Sequence, residues 1–417
     1  MAVQPKPLPS HSKKTLGAMR AERTVKRITF DRSVAKPGET LYVSVPKLNE
    51  HEVIVSDSLA LLFNIELAGG HANNYLVQNV SRALVDRLVV KFAATTGQDT
   101  VGYDIYKIFE DLFLSVDKRE NMISEGIQSA DLCKIRSGAG DKKTSGVDAE
   151  NKLESVYKNK YRINLDHEIL TDHGVLYPQA LYNDLIFEIT LAPANQVVRG
   201  SDASKLVYKL TNIQLEYETI RSKTLADEAT RAYTSGKEFA YDHIMREEVV
   251  PFSKGSDARL NLRVNPQRRS LKGILLLFIE PYAAGARDSE KYFNPDITKV
   301  NVTINGSPNR VYNNGIDGSD MWNEISRLFN PHGDGSRSNM NLTKYLTGNK
   351  FGLLIDLRPM ADTTLHGNGQ RLVNTKDGVH LEIERTTSGS GNVHCHIFTI
   401  SDSQMNIMDR QLESVQY

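Results

Sequence analysis

Cysteine is almost absent from this 417-residue chain: Cys133 and Cys395 stand far apart, and no CxxC occurs. That excludes a disulfide-stapled fold and a zinc ribbon, and it fits folding in a reducing, intracellular compartment. Net charge is missing as well, since Lys+Arg and Asp+Glu both number 51. No global field therefore draws the molecule to nucleic acid or acidic lipid. A near-neutral surface also gives little protection from self-association, a liability in a monomer and harmless in something meant to assemble. No apolar run approaches the roughly 18 residues of a membrane-spanning helix; the longest, Gly273 to Ile279, has the length of a strand. The N-terminus is basic and Pro-rich with no apolar segment, so it does not read as a secretory signal.

Catalytic apparatus is equally scarce. There is no Gly-x-Ser-x-Gly elbow, and the glycines at Gly138, Gly140, Gly389 and Gly391 are not followed by the Gly-Lys-Ser/Thr of a phosphate loop, so they read as turns. His167, Glu168 and His173 lack the HExxH spacing that sets two histidines one helical turn apart. On a strand, His394 and His396 share a face while Cys395 points to the other. A metal needs three or four ligands, and no third is suggested nearby; the expectation is a strand with one buried thiol and two half-exposed imidazoles. The basic stretch Pro266 to Lys272 reads as a salt-bridged strand edge, with Glu280, Asp288 and Glu290 downstream as partners. No catalytic, cofactor-binding or metal-binding residue is singled out.

What the chain does contain is strand texture, and it occurs twice. Arg162 to Asp166 followed by Leu185 to Leu191 resembles Leu354 to Arg358 followed by Val379 to Arg385, and each pair leads into a further strand-like run, Leu206 to Thr219 and Asn392 to Ile400. A repeat of about 190 residues is too long for a solenoid unit and points to two tandem domains of one fold. Short runs of Val, Leu and aromatics between turn signals argue an all-β sandwich or barrel. The organisation read from the sequence is a basic arm over 1–33, a first β-domain over 34–222, a helical connector over 223–236 and a second β-domain over 237–417.

Each domain carries one helical insertion, near 101–125 and near 319–329. Ile105, Ile108, Phe109, Leu112 and Phe113 recur at helical spacing in the first; Met321, Trp322, Ile325, Leu328 and Phe329 do so in the second, with Trp322 and Phe329 as its anchors. Gly273 to Ile279 is expected to be core, and Asn305-Gly306 to be a tight hairpin turn. The arm holds Lys6, Lys13, Lys14, Arg20, Arg23, Lys26, Arg27 and Arg32 against only Glu22 and Asp31, and reads as a solvated tail or a segment that orders on a partner.

The segments Arg269 to Tyr282, Ala286 to Ile297, Val302 to Gly306, Leu372 to Ile383 and Ser388 to Phe398 resemble the major capsid protein of Polinton (Maverick) elements and adintoviruses, in the double jelly-roll capsid lineage. The resemblance covers roughly 150 residues of the second half and is fainter in the first. It implies two eight-stranded jelly rolls in tandem with short helical insertions. It further implies a homotrimer forming a pseudo-hexameric capsomer that tiles an icosahedral shell in the virion, after synthesis in the host cytoplasm or nucleus. Neighbouring capsomers, penton and minor capsid proteins are the implied partners, and the arm would face packaged DNA or an internal membrane. Two other classes also fit a duplicated sandwich. A carbohydrate- or receptor-binding protein would need clustered exposed aromatics. A bicupin metalloenzyme would need a His-rich metal set.

Overall fold

The computed structural model describes residues 4–5, 22–29, 32–67, 74–122, 124–127, 160–165, 175–201, 206–313, 315–329, 338–360 and 365–417. Two eight-stranded jelly rolls follow one another. The first is built from β1 (Glu22–Thr29), β2 (Thr40–Ser44), β3 (Ala60–Leu67), β4 (Val85–Phe92), β5 (Thr95–Val101), β6 (Lys160–Asn164), β7 (Leu185–Leu191) and β8 (Tyr208–Arg221). The second is built from β9 (Lys237–Ser253), β10 (Arg259–Val264), β11 (Leu271–Ile279), β12 (Ile297–Ile304), β13 (Ser307–Pro308), β14 (Gly352–Asp356), β15 (Val379–Arg385) and β16 (Asn392–Met408), with β17 (Gln411–Gln416) folding back on β16.

One rule relates the two. In the first roll β8 lies between β1 and β3, and β6 lies beyond β3; the facing sheet runs β2-β7-β4-β5. In the second roll the sheets run β9-β16-β11-β14 and β10-β15-β12-β13. Adding eight to the number of each of these strands gives the second roll; the short strands Val34–Ala35 and Glu52–Val55, which also pair with β8, lie outside the rule. The repeat noticed in the sequence pairs β6 with β14, β7 with β15 and β8 with β16, so it matches equivalent strands.

Alternation explains most of these strands. β7 reads Leu185, Phe187, Ile189 and Leu191 inward, with Ile186, Glu188 and Thr190 half-buried between them. β11 is different, being buried at every position from Leu271 to Phe278. It is covered on both faces, which is why its sequence is an unbroken apolar run. The turn between β12 and β13 has Asn305 at φ 50° and Gly306 at φ 77°, the left-handed pair a two-residue hairpin requires.

The insertions occupy equivalent places. Helices α1 (Tyr103–Asp111) and α2 (Val116–Asn121) lie between β5 and β6. After α3 (Lys223–Ser235), which joins the rolls, α4 (Gly318–Phe329) and α5 (Leu342–Thr347) lie between β13 and β14. Ser222 caps α3 by accepting from Leu225 N, and Leu225, Ala226, Ala229 and Tyr233 bury one face of it on the first core. No described helix is long and apolar enough to cross a membrane.

Two features differ from the sequence expectation. Residues 22–29, read as part of an arm, form β1, paired with β8 from Glu22↔Arg221 to Thr29↔Gln214. The bases that gave the segment its arm-like look are spent on carboxylates: Arg27 on Glu216 at 2.7 Å, Arg23 on Glu218 at 2.5 Å and Lys26 on Glu52 at 2.5 Å. The second difference is the length of β9 and β16, 17 residues each, which hydrogen-bond along a ribbon reaching past the second roll. Its near half belongs to the other body: Phe239, Tyr241, Met405 and Ile407 lie in the first roll's core, with Leu412 and Val415 of β17 packed against them.

Candidate functional site

The two rolls meet along a seam built from both of them. α1 is its wedge. Tyr103 packs into the first core, while Tyr106, Ile108, Phe109, Leu112 and Phe113 pack into the second. The helix is amphipathic, yet its polar residues Asp104, Lys107 and Asp111 are buried along with its apolar ones, because it lies between two bodies. Phe113 stacks on Trp322 with centroids 6.0 Å apart and on Phe329 at 5.2 Å; Phe109 meets Tyr292 edge-on at 5.0 Å. The insertions of the two rolls thus clasp each other through aromatic rings. Trp322 is only half-buried and shares the anchoring with Phe329. The main chain continues the clasp: Asn339 N donates to Leu114 O at 3.0 Å, and the Ser338 hydroxyl donates to Phe113 O at 3.1 Å.

Polar groups close the rest of the seam. Arg287 donates to Asp104 Oδ2 at 2.6 Å, both side chains being less than a tenth exposed, and to Gln196 O at 2.9 Å. Burial pushes the Asp104 carboxyl above its usual range, against the pull of Arg287. Arg119 reaches Glu290 at 2.5 Å, and Tyr292 donates to Ile105 O at 2.8 Å. Gly285 lies so close to Gly200 O that a Cβ would sit 2.3 Å from it, and Gly200 N donates to Gly285 O at 3.0 Å. On the other flank, Gln98 and Thr100 of β5 both donate to Ile244 O, at 2.7 and 3.1 Å, and Tyr241 donates to Gly97 O at 2.5 Å.

The histidine pair lies in this seam. His394 and His396 line a cleft of about 200 Å³ with Asp86, Arg246 and Arg287, their rings 6.5 Å apart. Cys395 points to the second core, and burial pushes its thiol up. His396 is buried and not half-exposed as the sequence indicates, because this stretch of β16 faces the first roll instead of solvent. Burial, with Arg246, His394 and Arg287 adding to it, pushes its imidazole down to about 3. Among the described residues no group of three or more His, Cys, Asp or Glu is placed to hold a metal ion. Cys133, Gly138, Gly140, His167, Glu168 and His173 lie outside the described residues.

The basic stretch at 266–272 also departs from expectation. Lys272 is buried between Asp242 and Asp402, 2.6 Å from each, while Glu280 pairs with Lys254 and Lys291. Asp242 and Asp402 are direct cross-strand neighbours on β9 and β16, and the register of β11 slips at Lys272, delivering the ammonium between them. Of the described aromatics, only Tyr42 on β2 and Tyr182 ahead of β7 are strongly exposed.

Two rolls of one strand order, docked along one seam, form a known arrangement. The chain has the double jelly-roll fold. No protein-family model matches the sequence, and no curated protein does. Solved structures match nearly end to end. A chain of the PBCV-1 virus capsid aligns at TM-score 0.60 and 11% identity over 97% of this chain and 99% of that one. A chain of the Sputnik virophage aligns at 0.58 and 9% over 100% and 92%, and the mavirus major capsid protein at 0.54 and 9% over 94% and 89%. Identity this low carries the fold alone. The sequence marked Phe113 and Trp322 as helix-face residues but not that they meet, because they, like Asp104 and Arg287, are separated by some two hundred positions. The available signal was the apolar face on each of α1 and α4.

Proposed function

We propose that this chain is the major capsid protein of a Polinton- or adintovirus-like element, and that its work is mechanical and not catalytic. Three copies form a pseudo-hexameric capsomer, and capsomers tile an icosahedral shell. The observation that carries this reading is the alignment over almost the whole chain with the PBCV-1 capsid protein. The physical logic is that two similar rolls per chain, taken three times, give six near-equivalent edges, which suit a sixfold environment and leave fivefold vertices to a penton protein. A seam clasped by aromatics and buried ion pairs favours the same reading, since a shell tile must hold its two halves at a fixed angle. Neighbouring capsomers and minor capsid proteins are then the partners. Contact with packaged DNA or an internal membrane falls to Lys6, Lys13, Lys14 and Arg20, ahead of the strand whose own bases are paired.

Light scattering on the size-exclusion peak, with negative-stain images of the same fractions, tests this directly. The expected result is a particle of three times the 46.7 kDa chain mass with a hexagonal outline, or closed shells. A monodisperse monomer at high concentration would overturn it and return attention to glycan binding and metal content.

A further inference from the structure

A cavity of about 270 Å³ opens where the β9–β16 ribbon crosses the β5 edge of the first roll. Val101 and Met245 supply its apolar lining; Arg246, Arg268, His243 and Asp99 supply its polar lining, beside Tyr417. The charges do not balance. Both Asp99 oxygens are taken by Arg87, at 2.8 and 2.5 Å. Arg268 lies over the Tyr417 ring at 5.1 Å, and its Nη2 reaches only Met245 Sδ, at 3.1 Å. Its Nε is buried with no hydrogen-bond partner. Arg246 makes no ion pair among the described residues and packs against Gly102, where a Cβ would lie 2.7 Å from its Nη1. The register of β9 slips between Arg246 and Glu248, so this arginine sits at a bulge, a device that re-aims side chains.

Two half-buried guanidiniums face a cavity whose carboxylate, Asp99, is engaged by Arg87, and a counter-ion joining them would offset their charge. Their planar forks of N–H donors match the oxygens of a tetrahedral oxyanion. We propose that this cavity is an anion site, holding a phosphate group between Arg246 and Arg268, either free phosphate or the terminal group of a polyphosphate. The site lies where the rolls meet, its two arginines on the second roll and Asp99 and Val101 of the first forming the facing wall. The site stands apart from the capsid reading and survives or fails independently of it.

The test is thermal unfolding of the full-length protein in sodium phosphate, in sodium tripolyphosphate and in sodium chloride of equal ionic strength. The expected result is a midpoint about 2 °C or more higher in phosphate than in chloride, absent in the Arg246→Gln/Arg268→Gln double variant and retained in Arg263→Gln, an exposed control. In chloride the double variant should melt no lower than wild type, because it removes two uncompensated charges. A stronger response to tripolyphosphate identifies the polyphosphate source, and an equal one the free ion. A phosphate shift no larger than that of chloride, or one that survives in the double variant, overturns the proposal. Should the double variant fail to fold, the ³¹P line width of phosphate with wild-type protein decides, and an unbroadened line overturns the site.

Discussion

The seam's strength rests on individual groups that cannot be exchanged for water. Arg287 and Asp104 are both buried, so removing one leaves the other as an uncompensated charge. Asp104→Ala is expected to lower stability by about 3–5 kcal/mol in urea unfolding, far more than Arg23→Ala at the exposed end of β1, where solvent screens the pair. His396 makes a pH-dependent contribution of known sign. Its folded value near 3 lies below the ordinary 6.5, so between those limits the unfolded chain holds more protons. Its contribution is whole above pH 6.5 and shrinks on acidification by about 1.4 kcal/mol per pH unit. Comparing wild type with His396→Gln at pH 7 and pH 5 isolates it: wild type should lose about 2 kcal/mol more than the variant. An equal loss in both would place the imidazole in contact with solvent.

Among the elements, α1 and α4 form the clasp that holds the insertions together. Trp322 is the chain's only tryptophan, so its fluorescence reports on the surroundings of this one ring, formed by Phe113 from the first roll and Tyr345 from the second. Phe113→Ala should shift its emission to longer wavelength and cost about 2–4 kcal/mol, and Trp322→Ala a similar amount given its partial exposure. An unshifted emission would mean that the rings do not meet in solution. Both helices were legible from apolar spacing, and β7, β11 and β15 from alternation or unbroken burial. β9 was not legible as one strand. Phe239 and Tyr241 face a core on odd numbers and Val250 and Phe252 on even ones, since the bulge near Glu247 shifts the phase. Sequence alternation is therefore read from Glu247 although pairing begins at Lys237. β1 was hidden differently: an edge strand with exposed faces and paired bases has the composition of a tail.

Taken whole, the molecule is two rolls by topology and one body by packing. The duplication could be read because equivalent strands kept similar patterns, whereas the docking could not, because each contact joins residues from different rolls. Each core borrows from the other roll: Phe239, Tyr241, Met405 and Ile407 serve the first, and Tyr106, Phe109 and Phe113 serve the second. Calorimetry should therefore show one unfolding transition, with calorimetric and van't Hoff enthalpies in agreement. A fragment ending at residue 235 should fail to fold alone. Two resolved transitions, or a stable fragment, would mean the shared residues are dispensable.

The reach of the ribbon also sets a schedule for synthesis. The ribosome finishes β8 at Arg221 long before it makes Met405, Ile407, Leu412 and Val415, which complete the first roll's core. At roughly 5–20 residues per second, the emerging first roll waits about 10–40 seconds with part of its interior uncovered. Throughout that interval the nascent chain is open to capture by a chaperone or by a neighbouring polysome, and only release of the finished polypeptide closes it.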